Sequence, residues 1–127
     1  MIKILLVDDE KGITDTLKKF FEDRGFHART ADSGERALEI IKEDKPNIVF
    51  LDIRMPGIDG LETLEGIKKI DKNIKVIMLT VIDAKEIVDK AKELGADEYI
   101  TKPFRVDYLD EVVIKKVQGL LNEKTKE

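Results

Sequence analysis

Short runs of apolar residues alternate along the chain with longer segments whose apolar residues are spaced three or four positions apart. The short runs predict β-strands at residues 3–7, 27–30, 47–51, 75–79 and 98–101. Three of these runs, ILLV, IVFL and VIML, are apolar at every position. Continuous runs of this kind indicate strands that are buried on both faces, as in a parallel sheet covered by helices.

The segments between the strands have the spacing of amphipathic helices, as the first of them shows at Ile13, Leu17 and Phe20. Five strands therefore alternate with five helices. This order predicts an α/β fold with a doubly wound five-stranded parallel sheet, right-handed crossovers and helices on both faces. The pattern occupies residues 1–122 as one domain, and we expect the tail at residues 123–127 to fray.

Composition excludes several classes of protein. The chain has 127 residues, of which 42% are apolar and 39% are charged. A chain of this length can form a hydrophobic core without disulfides or other covalent cross-links. The absence of Cys excludes disulfides and thiolate metal sites. The net charge of −4 argues against direct binding to nucleic acid, and the first apolar run is too short for a signal peptide or a membrane span. We therefore expect a cytoplasmic protein without a nucleic-acid or membrane partner.

Residue usage also bears on the source organism. Lys, Glu and Ile are abundant, whereas Gln occurs once, at Gln118. Heat-adapted proteins show this bias. An AT-rich genome would also favour Lys and Ile codons, so a thermophilic source is one of two interpretations.

Polar residues follow four of the five predicted strands, at the edge where a doubly wound sheet binds its ligands. In chain order they are Asp8, Asp9, Glu10, Asp52, Thr80 and Lys102. Carboxylates a few ångströms apart repel one another unless a cation or a proton compensates them. Mg²⁺ suits this purpose, because it prefers oxygen ligands, needs one or two carboxylates and keeps waters that a phosphate can displace.

The same edge supplies the other groups that phosphoryl transfer requires. Lys102 adds a second positive charge and Thr80 a hydroxyl donor. Together they would stabilise a phosphoryl group in transfer, and a carboxylate can act as the nucleophile that accepts it. The pattern therefore predicts a Mg²⁺-dependent phosphoryl-transfer site.

Four separated motifs resemble those of a known family. VDDE at residues 7–10, LDIRMPGIDG at 51–60, LT at 79–80 and ITKPF at 100–104 resemble, in this order, the receiver domain of two-component response regulators. The resemblance covers nearly the whole chain. It implies a flavodoxin-like (βα)₅ fold with strand order 2-1-3-4-5, as in the chemotaxis regulators.

The resemblance also implies the reaction and its cofactor. Asp52 would accept a phosphoryl group from a phosphohistidine on a sensor histidine kinase, and the domain would catalyse its own phosphorylation and dephosphorylation without turning over an external substrate. Asp9 resembles the principal Mg²⁺ ligand, with Asp8 holding the waters of the metal. Asp52 and the backbone carbonyl of Arg54 would complete the protein ligands.

Further positions resemble the switch of the family. Thr80 and Lys102 would bond the oxygens of the phosphoryl group, and Tyr99 would turn from an exposed to a buried position on phosphorylation. The bond before Pro103 resembles one that is usually cis in the family. The signal would pass to an output domain or a target protein through the face formed by the fourth helix, the fifth strand and the fifth helix.

The fifth helix carries a broad apolar stripe. Its members are Leu109, Val112, Val113, Ile114, Val117, Leu120 and Leu121. Core packing explains such a stripe, and so does a docking surface at which phosphorylation would bring two copies of the chain together. The sequence leaves both explanations open.

The acidic candidates also have ordinary structural explanations. A pair such as Asp8 and Asp9 is commonly a turn or a helix N-cap, and Asp52 could open a turn at Pro56 and Gly57. Their positions directly behind the first and third buried strands favour the metal site. The turn and the metal site are compatible, since the turn would position a backbone carbonyl as a ligand.

Three other functions fit the sequence less well. A phosphohydrolase of the haloacid-dehalogenase type would pair Asp52 with a second aspartate two positions later, where this chain has Arg54. A flavodoxin-like FMN binder would need a Ser/Thr/Gly-rich phosphate loop, whereas DDEKG follows the first strand. A receiver-like interaction module that takes no phosphate is disfavoured, because all five site positions are filled.

Overall fold

The structure is a computed structural model, and the residues that it describes are 2–54, 59–80, 85–102 and 106–125. The expected turn at Pro56 and Gly57 and the expected cis bond at Pro103 lie outside these residues. The side chain of Thr80 lies outside the description as well, although its backbone is part of a strand.

One sheet contains the five strands of the described residues. They are β1 (Lys3–Val7), β2 (His27–Ala31), β3 (Ile48–Asp52), β4 (Lys75–Thr80) and β5 (Glu98–Thr101). All neighbours are parallel and the order is β2-β1-β3-β4-β5, which confirms the predicted fold class and strand order. Strands β3 and β4 each run one residue further than predicted, so that Asp52 and Thr80 end their strands instead of following them.

Five helices connect and follow the strands in the described part of the chain. They are α1 (Lys11–Glu22), α2 (Gly34–Glu43), α3 (Gly60–Ile70), α4 (Lys85–Glu93) and α5, which joins an α-helical turn (Val106–Tyr108), a π-helical segment (Leu109–Val113) and an α-helix (Ile114–Thr125). The backbone of α5 continues into the tail that we expected to fray. Among the described residues, no helix combines the length and the apolar character required to traverse a bilayer.

Side chains fix the beginning of two helices. Ser33 accepts a hydrogen bond from the amide of Arg36 at the start of α2, and Asp59 accepts one from the amide of Glu62 at the start of α3. Such N-caps contribute about 1 kcal/mol each to stability. The cap at Asp59 directly precedes Gly60, the first residue of α3.

The sheet divides the hydrophobic core into two layers. Because alternate residues of a strand point to opposite faces, Ile4 and Leu6 of β1 pack on one side and Leu5 and Val7 on the other. The first layer includes α1 and α5 and contains Phe21, whereas the second includes α2 and α3. Burial on both faces explains why the central strands are continuously apolar.

Helix α5 places most of its apolar stripe in the first core layer. Leu109, Val113, Val117 and Leu120 are buried there, and Ile114 and Leu121 pack against it while partly buried. Val112 is half-buried. Core packing therefore accounts for most of the width of the stripe, and a docking surface on α5 stays a prediction.

Candidate functional site

The register of the sheet brings distant polar residues to one edge. The last residue pair between β1 and β3 is Val7 with Leu51. The next residues, Asp8 and Asp52, therefore lie side by side at the ends of adjacent strands. Lys102 directly follows β5 and reaches the same place, although it is 94 positions from Asp8 in the chain.

The ammonium group of Lys102 lies among three carboxylates. Its Nζ donates hydrogen bonds of 2.5 Å to Oδ2 of Asp8 and 3.3 Å to Oδ2 of Asp52, and it lies 3.8 Å from Oε1 of Glu10. The side chains of Lys102 and Asp8 are only 4% and 1% exposed. Since buried charges require compensation, this ammonium offsets the repulsion among the carboxylates.

The carboxyl group of Asp52 is strongly perturbed. Burial and the neighbouring charge of Asp8 raise its pKa to about 6. Two groups act in the opposite direction, namely Lys102 and the amide of Arg54, which donates a hydrogen bond of 3.2 Å to Oδ1 of Asp52. At neutral pH Asp52 is therefore mostly ionised, but it takes a proton far more readily than an ordinary aspartate.

Lys102 remains a cation in spite of its burial. Burial alone would lower the pKa of an amine, but the hydrogen bond to Asp8 and the charges of Asp52 and Asp8 outweigh it. The net effect raises the pKa of Lys102 above its usual value. The site thus holds a permanent positive charge next to Asp52.

Three carboxylates of the site are placed to hold a metal ion. One oxygen from each of Asp8, Glu10 and Asp52 lies within 4.8 Å of the other two. This donor set consists of oxygen atoms and carries a negative charge. It therefore fits a hard divalent cation such as Mg²⁺ better than a metal that prefers sulfur or imidazole ligands.

The carboxylate cluster includes Glu10 and does not include Asp9. The amide of Glu10 donates a hydrogen bond of 3.0 Å to Oδ1 of Asp8, a local turn that accompanies the approach of the Glu10 carboxylate to Lys102. Asp9 is exposed and lines a polar groove on the side of β2. Sequence reasoning placed Glu10 among the polar residues at this edge but did not name it as a metal ligand, although its place in VDDE, two residues after a buried aspartate, was a signal. The assignment of Asp9 as principal ligand stays a prediction.

Comparison with known proteins identifies the family of this site. The model of the response regulator receiver domain matches residues 4–114. The chain belongs to the receiver domain family. Receiver domains are phosphoacceptor signalling modules whose partners are kinases and output domains. The resemblance drawn from the four sequence motifs is confirmed.

Individual relatives agree with this assignment. Sporulation initiation phosphotransferase F of Bacillus subtilis (strain 168) is 40% identical over 113 residues, which cover 89% of this chain and 91% of that protein. A CheY-like receiver domain protein from Methanospirillum hungatei JF-1 superposes with a TM-score of 0.88 at 31% identity, over 97% of this chain and 98% of that one. NtrX from Brucella abortus superposes with a TM-score of 0.87 at 34% identity, over 97% of this chain but only 29% of NtrX.

Two further residues that the sequence analysis assigned to the functional site, Arg54 and Thr80, lie at the same edge of the sheet. Arg54 has an exposed side chain, and its contribution to the site is its backbone amide, which holds Asp52. Thr80 ends β4 and is paired with Thr101 of β5, so that its backbone lies at the same edge. The metal-binding role of the Arg54 carbonyl and the phosphoryl-binding role of Thr80 stay predictions.

The candidate switch residue of this receiver domain, Tyr99, is 38% exposed, and the Nζ of Lys92 lies 5.7 Å from the centre of its ring. A cavity of about 130 Å³ adjoins it, with Ile53, Met78 and Ala91 among the lining residues. A cavity of about 150 Å³ holds a benzene molecule, so this one is close to the size of a tyrosine ring. Ile53, which directly follows the candidate phosphoacceptor, lines the same cavity as Tyr99.

Proposed function

We propose that this receiver domain accepts a phosphoryl group on Asp52 from the phosphohistidine of a sensor histidine kinase, in a Mg²⁺-dependent reaction. The observation that carries the proposal is the 3.3 Å contact between Asp52 and the buried ammonium of Lys102, inside a carboxylate cluster suited to a divalent cation. Positive charge in that position stabilises the oxygens of a phosphoryl group during transfer.

Asp52 is better placed than Asp8 to act as the nucleophile. Both oxygens of Asp8 are engaged, Oδ2 by Lys102 at 2.5 Å and Oδ1 by the amide of Glu10 at 3.0 Å. The contacts of Asp52 are longer, at 3.3 Å and 3.2 Å, and its side chain is 8% exposed, against 1% for Asp8. A carboxylate that is held less tightly and is more accessible has a lone pair available for an incoming phosphorus atom.

The transfer step uses the ionised form of Asp52. One carboxylate oxygen forms a bond to phosphorus while the P–N bond to the imidazole of the kinase breaks. The electron pair of that bond leaves with the imidazole nitrogen, which takes up a proton from solvent. Attack of water on the same phosphorus then regenerates the carboxylate and releases inorganic phosphate, so the domain limits the lifetime of its own signal.

The acidic residues support the requirement for magnesium. Asp8, Glu10 and Asp52 present the clustered oxygens, and the family resemblance adds Asp9 and the backbone carbonyl of Arg54. When bound, Mg²⁺ would supply positive charge that offsets both the clustered carboxylates and the phosphoryl oxygens. Compensation of the charge of Asp8 would also favour the ionised form of Asp52.

The switch would pass from the phosphoryl group to Tyr99. Thr80 and Lys102 would follow the new oxygens, and the ring of Tyr99 would turn inward. The cavity of about 130 Å³ beside Tyr99 supports this movement, because its volume is near that of an aromatic ring. The face formed by α4, β5 and α5 would then change its affinity for an output domain, a target protein or a second copy of the chain.

The phosphoacceptor assignment is tested by intact mass after incubation with acetyl phosphate and Mg²⁺. The wild type should gain one phosphoryl group, and Asp52→Ala should gain none. Asp23→Ala is the matched control, because it removes an exposed aspartate that pairs with Lys19 at 3.5 Å, at the opposite end of α1 from Glu10. An adduct that persists in Asp52→Ala, or that forms equally well in EDTA, would contradict the proposal.

Dimer formation is tested on the same samples by size-exclusion chromatography. The phosphorylated wild type should elute earlier than the unphosphorylated protein, whereas Asp52→Ala treated with acetyl phosphate should not change. Identical elution of the two wild-type samples would contradict dimer formation. An output domain or a target protein would then be the partner of the face formed by α4, β5 and α5.

A further inference from the structure

Gly60, the first residue of α3, lies against the backbone at the end of the phosphoacceptor strand. It is buried, and its amide donates a hydrogen bond of 2.9 Å to the carbonyl of Ile53. A Cβ atom on Gly60 would clash with the carbonyl oxygen of Asp52 and would lie 2.5 Å from Cα and 2.9 Å from the carbonyl oxygen of Ile53. Real Cβ atoms essentially never approach another heavy atom closer than 3.0 Å.

The atoms around Gly60 belong to the backbone, so no rotation of a side chain would make room for a methyl group. Other glycines differ in this respect. A Cβ on Gly66 of the same helix would meet only the side chain of Leu38, at 3.1 Å, and Gly12 of α1 has open space around it. Gly60 does not have a positive φ. The requirement for glycine at this position is therefore one of space and not of backbone conformation.

The contact with Gly60 bears directly on the position of Asp52. On the side of β4, the amide of Ile53 donates a hydrogen bond of 3.1 Å to the carbonyl of Leu79, and on the side of α3 its carbonyl accepts one of 2.9 Å from Gly60. The backbone of Ile53, the residue directly after Asp52, is thus held by β4 on one side and by α3 on the other. Movement of this backbone would change the distance of 3.3 Å between the Asp52 carboxylate and Lys102.

We propose that Gly60 is a positioning residue for phosphoryl transfer, because its lack of a side chain lets the start of α3 fix the backbone that carries the Asp52 carboxylate. The inference rests on the proposed function of Asp52 as phosphoacceptor. A misplacement of about 1 Å at a reacting group lowers a rate by up to roughly 100-fold. Gly60→Ala should therefore slow phosphorylation about 10- to 100-fold in protein that is fully folded.

The test measures the rate of phosphorylation by acetyl phosphate at saturating Mg²⁺, together with unfolding in urea, for the wild type and three variants. Gly60→Ala is compared with Gly12→Ala, which adds the same methyl group where there is space. Asp59→Ala is the control for stability, because it removes the N-cap of the same helix without adding an atom near Asp52. Both control variants should be phosphorylated at the wild-type rate.

A spectroscopic measurement separates positioning from stability. The amide of Arg54 is bonded to the carboxylate of Asp52, so its NMR resonance reports the position of that group. This resonance should shift in Gly60→Ala and stay in place in Asp59→Ala. A shift of the same size in both variants would assign the effect to loss of the helix start and would overturn the inference.

The kinetic outcomes distinguish the inference from the function on which it rests. A wild-type rate in folded Gly60→Ala overturns the inference and leaves the proposed function intact. No adduct in the wild type overturns both. Slowing of Asp59→Ala to the same extent as Gly60→Ala overturns the inference alone.

If Gly60→Ala does not fold, the wild type supplies the decisive measurement. In a Mg²⁺ titration followed by amide NMR, the resonances of Gly60 and Arg54 should shift with the same midpoint, since both amides are bonded to the segment of Asp52 and Ile53. The amide of Gly25, which is bonded within the end of α1, should not move. A stationary Gly60 amide beside a shifting Arg54 amide would overturn the inference.

Discussion

Lys102 and Asp8, 94 positions apart in the chain, form a buried ion pair with a distance of 2.5 Å between Nζ and Oδ2. The ammonium group lies closer to Asp8 than to Asp52. It leaves Asp52 with a longer contact and a raised pKa of about 6. A divalent cation that bound the same oxygens would compete with the ammonium group, so stability, metal binding and reactivity of the site are linked.

Lys102→Met should destabilise the protein in EDTA by about 3 kcal/mol, because the buried carboxylates of Asp8 and Asp52 lose their partner. The loss should be smaller in Mg²⁺, since a bound cation replaces part of the missing charge. Urea unfolding in the two buffers measures both effects. Lys19→Met, which removes an exposed pair with Asp23 at 3.5 Å, should change stability little. An equal loss in the two lysine variants would contradict the importance of the buried pair.

Asp52→Asn should stabilise the protein at pH 7.5 in EDTA by roughly 1–3 kcal/mol. Because the pKa of Asp52 rises from 3.8 to about 6 on folding, the folded state binds the proton more tightly. The stability that this group contributes is therefore fully present below about pH 4 and is lost as the pH rises to about 6. Because asparagine does not ionise, the Asp52→Asn variant does not lose this stability as the pH rises. Urea unfolding at several pH values measures the difference, and a wild type more stable than the variant at pH 7.5 would refute the expectation.

The rate of phosphorylation by acetyl phosphate should fall as the pH drops through about 6, because protonated Asp52 is not a nucleophile. A higher Mg²⁺ concentration should move the midpoint to lower pH, since a cation next to the carboxylate favours its charged form. Initial rates from about pH 5 to about pH 8 at two Mg²⁺ concentrations provide the measurement. A flat profile, or a midpoint that does not respond to Mg²⁺, would count against the assignment.

Asp9→Asn should weaken Mg²⁺ binding more than Glu10→Gln. The family resemblance makes Asp9 the principal ligand, whereas the carboxylate of Glu10, whose side chain is 62% exposed, is well screened by solvent. Isothermal titration calorimetry of both variants with Mg²⁺ tests this order. The opposite order would transfer the principal role to Glu10, the residue that the structure places in the cluster.

Ala91→Val should leave phosphorylation of Asp52 intact and prevent the inward movement of Tyr99. Ala91 lines the cavity beside Tyr99, and added methyl groups would occupy space that the ring needs. The measurement is the NMR spectrum of the tyrosine ring before and after phosphorylation, in a Tyr108→Phe background that leaves Tyr99 as the single tyrosine. An unchanged phosphorylation shift of the Tyr99 ring in Ala91→Val would exclude the cavity as its destination.

The ends of the strands show how accurately the sequence pattern predicts the secondary structure. The predicted limits of β1 and β5 agree with the structure. Strand β3 begins one residue later than predicted, at Ile48. The preceding residue, Asn47, uses its side chain to accept a hydrogen bond of 2.8 Å from the amide of Lys3. A pattern of apolar residues contains no information on such a contact between segments.

By itself the sequence determined the α/β class, the alternation of strands and helices, and the set of polar residues at the strand ends. Each of these follows from local periodicity, since a strand buried on both faces must be apolar at every position. The resemblance to the receiver family rested on the residues of four motifs and on their order along the chain.

Only the tertiary structure decided which of those polar residues meet. It placed Glu10 in the carboxylate cluster and Asp9 outside it, and it set the backbone of Gly60 against the strand that carries Asp52. It also raised the pKa of Asp52 to about 6. These properties depend on strand register, on turns between elements and on burial by distant residues. Each of them depends on contacts between residues that are far apart in the chain, so no short stretch of sequence reveals it.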